Sequence, residues 1–256
     1  MRYDSLVTCH LSLVMSQNTN NEPDYGIATR YVTFKGSAAN GEEAPDLEGR
    51  LSLISDGALH PGAVLLHANP AGGGHMDMRV VLAIEAALAR DGIATLRYNF
   101  RGVGSSGGRI SSAGDRRLVA PEGEAETADV GAALDFLGMQ EGVDGRKLAL
   151  VGHSFGARIA LAYLASHADD RVQAVACVGL AVAWRDLSHL GQWERPKLFV
   201  TGERDDFCPP DKLEEFVAGL PEPSTQVVLK NTGHFFEGRE DDLAAVVGEF
   251  LSRVLL

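Results

Sequence analysis

The sequence predicts an α/β fold: a mostly parallel central sheet with helices on both faces and no large cap domain. Three observations predict it. Short apolar runs alternate with longer segments of helical period, the pattern of strands joined by crossover helices. The last helical segment puts Leu243, Val246, Val247, Phe250, Leu251 and Val254 on one stripe, the spacing of a face packed on a sheet. The chain has 256 residues, 45% hydrophobic and 23% charged, which suits one domain with a sizeable core.

Taken in order, residues 1–28 read as a loose N-terminal tail and 29–256 as a single domain. In the tail, Asp4 and His10 interrupt a moderately apolar stretch, no small-residue cleavage pattern stands out, and Met15 is an alternative start. Tyr31–Phe34 and Leu47–Ile54 read as two strands forming an antiparallel edge, separated by the polar turn region Gly36–Pro45. Then come a strand at Gly62–Asn69, a helix at Met76–Arg90 and a strand at Ala94–Phe100. A loop rich in Gly and Ser leads to a helix at Ala125–Met139, a strand at Lys147–His153 and a helix beginning at Phe155. Strands at Val172–Leu180, Lys197–Glu203 and Thr225–Lys230 complete the sheet before the closing helix.

Composition excludes several function classes. A net charge of -12 and a pI of about 5.1 argue against nucleic acid, whose binders gain affinity from clustered Lys and Arg. Cys9, Cys177 and Cys208 make no CxxC pair, so neither a disulfide framework nor a zinc site is expected, and a reducing compartment fits. No pair of histidines has metal-ligand spacing. The apolar run Val172–Trp184 is shorter than the ~20 residues that cross a bilayer, so no membrane partner is expected and a cytoplasmic location follows.

Gly102, Gly104 and Gly107 spell G-x-G-x-x-G directly after a predicted strand. A dinucleotide site needs a helix starting within those glycines, because its N-terminal N–H groups hold the pyrophosphate. Here the chain runs on without helical period to Pro121, and the strand does not open a βαβ unit. The glycines therefore read as a tight turn, and no cofactor is expected.

Gly152-His153-Ser154-Phe155-Gly156 matches G-x-S-x-G, with an apolar strand before it and helical period after it. Such a strand-to-helix turn exposes a serine oxygen at the carboxyl end of a sheet, above a helix N-terminus that favours developing negative charge. A serine hydroxyl needs a base to take its proton and an acid to orient that base. The order Ser, acid, His along the chain is met by Asp205, after the strand ending at Glu203, and by His234, after the strand ending at Lys230. Asp206 and Asp186 are alternative acids. His67 is placed at a strand end where its backbone lines the site, and His153 is a filler of the turn. His10, His60, His75, His167 and His189 read as surface or helix-end residues. An oxyanion needs two N–H donors, and Phe155 supplies the first; the loop His67–Gly74 is placed for the second, with Asn69 the donor because Pro70 has no N–H.

With these residues the chain resembles the α/β-hydrolase superfamily from about Leu47 to the C-terminus. His67-Ala68-Asn69-Pro70 with Gly72-Gly73, Arg97-Tyr98-Asn99-Phe100-Arg101-Gly102-Val103-Gly104 with Ser106 and Gly107, and the Ser154 motif together resemble a group of small bacterial serine hydrolases and esterases. That group has relatives similar to dienelactone hydrolases and acyl-peptidases. Many superfamily members carry His-Gly where this chain has His67-Ala68. The resemblance implies a turn near the pocket at Gly102–Gly107, and Ser154 at the nucleophile position implies serine rather than aspartate or cysteine chemistry. The expected function is cleavage of a small carboxylic ester, thioester or amide through an acyl-enzyme on Ser154, with a small-molecule acyl substrate. The alternative is a non-catalytic small-molecule binding protein on the same fold. The sequence leaves the oligomeric state open. Ala181–Arg195 is too short for a helical cap, Trp184 and Trp193 either wall a pocket or pack the loop onto the body, and the loop Gly108–Glu122 offers little apolar cover. An open cleft for short or compact acyl groups is the expectation.

Overall fold

Strands buried on both faces need apolar side chains in both directions, and the central strands here have them. The computed structural model describes residues 26–38, 43–110, 123–183, 187 and 192–256. Eight strands form one sheet: β1 (Ile27–Lys35), β2 (Asp46–Ile54), β3 (His60–Leu66), β4 (Ala94–Tyr98), β5 (Val143–His153), β6 (Val172–Val178), β7 (Lys197–Gly202) and β8 (Ser224–Leu229), in spatial order β1-β2-β4-β3-β5-β6-β7-β8. β2 runs antiparallel to both β1 and β4, and every pairing from β4 onward is parallel. The expected antiparallel edge is therefore present.

The described helices are α1 (Arg79–Arg90), α2 (Glu124–Gly138), α3 (Phe155–Ser166), α4 (Pro210–Ala218) and α5 (Glu240–Leu255). Alternate residues of each strand feed two cores. Val64 and Leu66 of β3 with Leu148 and Leu150 of β5 meet α2 and α3 on one face, joined by Leu213 of α4. Ala63, Leu65, Ala149 and Val151 meet α1 and α5 on the other. Fully burying side chains of this size contributes about 1.5–3 kcal/mol each. On α5 the buried face is Leu243, Ala244, Val247, Gly248, Leu251 and Leu255, while Val246, Phe250 and Val254 flank it half-buried. The packed stripe is thus turned from the predicted one, because Ala244 and Gly248 let the helix approach α1; a Cβ on Gly248 would lie 2.7 Å from Asp91 Oδ2.

Several boundaries differ from the sequence pattern; β1 begins at Ile27, so the last two residues read as tail are strand, and β4 and β6 end two residues early, at Tyr98 and Val178. Helix α1 starts at Arg79 rather than Met76, and ahead of it the Met76 N–H donates to the Asn99 side chain at 2.8 Å. Strand β3 ends at Leu66, where the His67 imidazole takes up the N–H of Phe100. Strand β5 begins at Val143, paired with His60 ahead of a register shift. Helix α4, for which the sequence analysis names no element, starts on Pro210 and buries Leu213. Among the described residues no cap domain stands between β6 and β7, and no helix is long and apolar enough to cross a membrane. The tail to residue 25, most of the loop Gly108–Glu122, Trp184, Asp186 and His189 lie outside the described residues.

Candidate active site

The site assembles at the carboxyl ends of β3, β5, β7 and β8, where open α/β sheets bind ligands. Ser154 follows β5 and takes φ 55°, ψ −108°, a conformation that L residues rarely adopt and that the surroundings must hold in place. They do so by close approach of backbone. A Cβ on Gly152 would lie 2.3 Å from the Ala157 nitrogen, and one on Gly156 would lie 2.2 Å from the Leu66 carbonyl oxygen. The Ser154 N–H donates to the Val178 carbonyl at 2.8 Å, locking the turn to β6.

Three predicted side chains meet. His234 Nε2 lies 2.9 Å from Ser154 Oγ, and His234 Nδ1 lies 2.9 and 3.0 Å from the two oxygens of Asp205. A carboxylate only accepts, so Nδ1 carries the proton and Nε2 presents its lone pair to the serine hydroxyl. Asp205 is buried and its Oδ1 also accepts the N–H groups of Phe207 and Cys208, both at 2.9 Å. Four contacts thus fix the carboxylate. Asp206 is exposed, which decides between the neighbours; Asp186 lies outside the described residues.

The imidazole of His234 is framed by aromatic rings. Phe207 stacks on it at 4.5 Å and 24°, and Phe235 meets it edge-on at 5.2 Å and 81°; both are exposed. His153, read from sequence as filler, has a further role in the geometry. Its Nε2 donates to the His234 carbonyl at 3.1 Å, holding the His234 backbone. Its Nδ1 is buried without a hydrogen-bond partner among the described residues, and burial pushes the imidazole down to about 4. A neutral ring is the form that tolerates such a place. No sequence pattern identifies this bond, because it spans 81 residues.

On the other side of Ser154 lies the loop after β3. Pro70–Gly72 form a short 3-10 turn whose preceding residue, Asn69, caps it through Oδ1 to the Ala71 N–H at 2.9 Å. Phe155 opens α3, so its N–H is one of the helix's unpaired first-turn donors. Neither the Phe155 nor the Asn69 N–H donates to another described residue. The G-x-G-x-x-G turn follows β4. Gly102 and Gly104 take φ 74° and 58°, and a Cβ on Gly104 would lie 2.0 Å from Glu48 Oε1. No helix begins within these glycines; α2 starts at Glu124. Arg101 from this turn pairs with Asp129 of α2 through two bonds, at 2.7 and 2.8 Å, both groups buried. Burial pushes the Asp129 carboxyl up, and the guanidinium opposes that.

Trp193 is half-buried against the core on the α2 and α3 face, so it packs its segment onto the body; Trp184 lies outside the described residues. Among the described residues no group of three His, Cys, Asp or Glu side chains is placed to hold a metal ion.

The strand order, with β4 inserted between β2 and β3, and the sharp turn at Ser154 agree with the comparisons. A family model described as the alpha/beta hydrolase fold matches residues 64–189. The chain has the α/β-hydrolase fold. An α/β serine hydrolase without lid from Xanthomonas campestris superposes with a TM-score of 0.71 at 25% identity, covering 89% of this chain and 95% of that one. An uncharacterized protein of Rickettsia prowazekii is 27% identical over 218 residues, 83% of this chain and 86% of the relative. An uncharacterized protein of Mycobacterium tuberculosis is 28% identical over 198 residues, and the match spans 70% of this chain but only 65% of the relative. The fold and these neighbours support a hydrolase and match the expected group of small bacterial relatives without a large cap.

Proposed function

We propose that this α/β hydrolase is a serine esterase, cleaving a small carboxylic ester, or a related thioester or amide, through an acyl-enzyme on Ser154. The observation that carries the reading is the continuous hydrogen-bonded chain from Ser154 Oγ through His234 to Asp205, with each distance between 2.9 and 3.0 Å. In the first half of the reaction His234 Nε2 takes the serine proton as Oγ attacks the carbonyl carbon, and returns it to the leaving oxygen, sulfur or nitrogen. Asp205 keeps the proton on Nδ1 and stabilises the imidazolium. In the second half water takes the place of the alcohol, and the acid leaves. The N–H groups of Phe155 and Asn69 receive the oxyanion, where preorganised donors act most strongly.

The reading includes an open cleft for short or compact acyl groups, since among the described residues no cap between β6 and β7 supplies the apolar tunnel that a long chain needs. The test is steady-state hydrolysis of a nitrophenyl ester series by the purified protein. Sustained turnover, highest kcat/KM at short acyl chains and no rate jump above the micelle threshold are expected. A single stoichiometric release with no further turnover would replace the esterase reading with a binding protein; a peak at long chains would remove the open-cleft reading.

A further inference from the structure

Asn69 offers its N–H from a loop, and a loop N–H is only as well aimed as its peptide plane. The peptide between Ala68 and Asn69 is trans, so its C=O and N–H point in opposite directions. The Ala68 oxygen lies 2.7 Å from Nδ1 of the His67 ring. The other nitrogen of that ring, Nε2, receives the Phe100 N–H at 3.1 Å, so Nε2 carries no proton and Nδ1 does. The ring is therefore a directed donor to the Ala68 carbonyl. It is buried, packs on Phe100 at 4.5 Å between centroids, and burial pushes it down to about 4, which keeps it neutral. Behind the same carbonyl stands Gly74, where a Cβ would come within 2.0 Å of the Ala68 oxygen.

We propose that His67 is a positioning residue whose Nδ1–H holds the peptide between Ala68 and Asn69 in the one orientation that turns the Asn69 N–H away from the core and toward the oxyanion. The inference rests on the esterase reading of Ser154. Three features of the structure support it. The tautomer of His67 is set by a backbone donor from a different strand end, so the ring cannot flip without losing Phe100. The far end of the loop is tied to the same turn, since Met76 N–H donates to Asn99 Oδ1 at 2.8 Å and Met76 O accepts from Arg97 Nη1 at 3.3 Å. The Asn69 carbonyl is itself engaged by the N–H groups of Gly72 and Gly74, both at 3.0 Å, so the residue is held on both sides of its Cα.

The decisive measurement compares an ester with its thionoester, whose C=S is a poor acceptor, so their ratio reads how well the oxyanion donors are aimed. Mutating His67→Phe keeps the ring packing and removes both hydrogen bonds, whereas His67→Gln returns an amide donor. The expected result for His67→Phe is a kcat on nitrophenyl acetate lowered by about 10- to 100-fold, below the roughly 10²–10³ that loss of a whole donor costs. KM stays within about threefold, and the ester-to-thionoester ratio falls with kcat; His67→Gln recovers part of both. An unchanged ratio, or a loss carried by KM alone, overturns the proposal. Independently of how the variants fold, long-range ¹⁵N–¹H spectra of the wild-type protein should show His67 as the Nδ1–H tautomer, and the Nε2–H tautomer overturns it. Absence of Ser154-dependent turnover in the wild type would instead bring down the esterase reading, a separate outcome.

Discussion

The two sides of Ser154 are built differently. In the proposed reaction the acid and base atoms belong to side chains, Asp205 and His234, each placed one short loop beyond a strand end. On the proposed oxyanion side the atoms are backbone N–H groups, and the loop that carries Asn69 is braced by His67 and by side chains drawn from β2, β4 and the turn after it: Glu48, Arg97, Asn99 and Ser106. On the acid and base side a substitution removes a proposed reacting group itself, whereas on the oxyanion side it removes a support such as Asn99, which reaches Met76 across 23 residues. Substitution should therefore act sharply on one side and gradually on the other.

The largest effect is expected at the junction. Ser154→Ala should lower kcat by on the order of 10⁴ or more with the melting temperature nearly unchanged, because nucleophile and base act as a unit. Activity retained within tenfold would show that the turn is not the reacting centre. Next in size, Asp205→Asn should cost about 10³- to 10⁴-fold in kcat, since an amide facing Nδ1 favours the wrong tautomer of His234. Asp206→Asn, exposed and out of reach, should stay within about twofold. Equal losses in the two variants would break the assignment of the acid.

This contrast also explains what could be read from the sequence. The strands, the turn at Ser154 and the positions of Asp205 and His234 are local patterns: an apolar run, a spaced pair of glycines, a polar residue just past a strand end. Periodicity was enough for them. It was enough in principle for α4 too, where Leu213, Phe216, Val217 and Leu220 recur at helical spacing behind a proline at the first turn. That helix spans only nine residues between Pro209 and Gly219, and so passes for loop. His67, His153 and Asn99 were out of reach for another reason. Each is a polar residue buried by the tertiary fold, and its partner, Phe100, the His234 carbonyl or Met76, is named only once the strands are set side by side.

A smaller effect should follow from loosening the oxyanion side. Asn99→Leu removes the acceptor of the Met76 N–H and the donor to Glu48 Oε1 at 2.7 Å, leaving a buried N–H unpaired. A stability loss of about 1–3 kcal/mol in denaturant unfolding is expected, with kcat down roughly tenfold, less than loss of a whole oxyanion donor, and KM little changed. A loss of stability without any change in kcat would mean that the far end of the loop does not report to Asn69.

The effect with the least expected change in turnover tests both sides at once through pH. His67 stands on the oxyanion side and His153 on the base side, and burial pushes each imidazole down to about 4. An unfolded chain binds protons on these rings at the ordinary value near 6.5. Between about pH 6.5 and pH 4 the unfolded state therefore holds more protons than the folded one, so folding stability is fully present above 6.5 and declines as pH falls, levelling off below 4. Each ring contributes a loss of roughly 2 kcal/mol by pH 5. Asp169, held down at about 2 chiefly by its bond to Arg171, loses its contribution only at lower pH, and Asp129, pushed up by burial, acts in the opposite sense as pH falls. Denaturant unfolding across pH 5 to 8 should show the decline, and His153→Gln and His67→Gln should each remove about half of it while moving different functions. Loss of slope in neither variant would mean that the rings take up protons in the folded state, and with protonated rings the bonds from Phe100 to His67 and from His67 to Ala68 could not both persist.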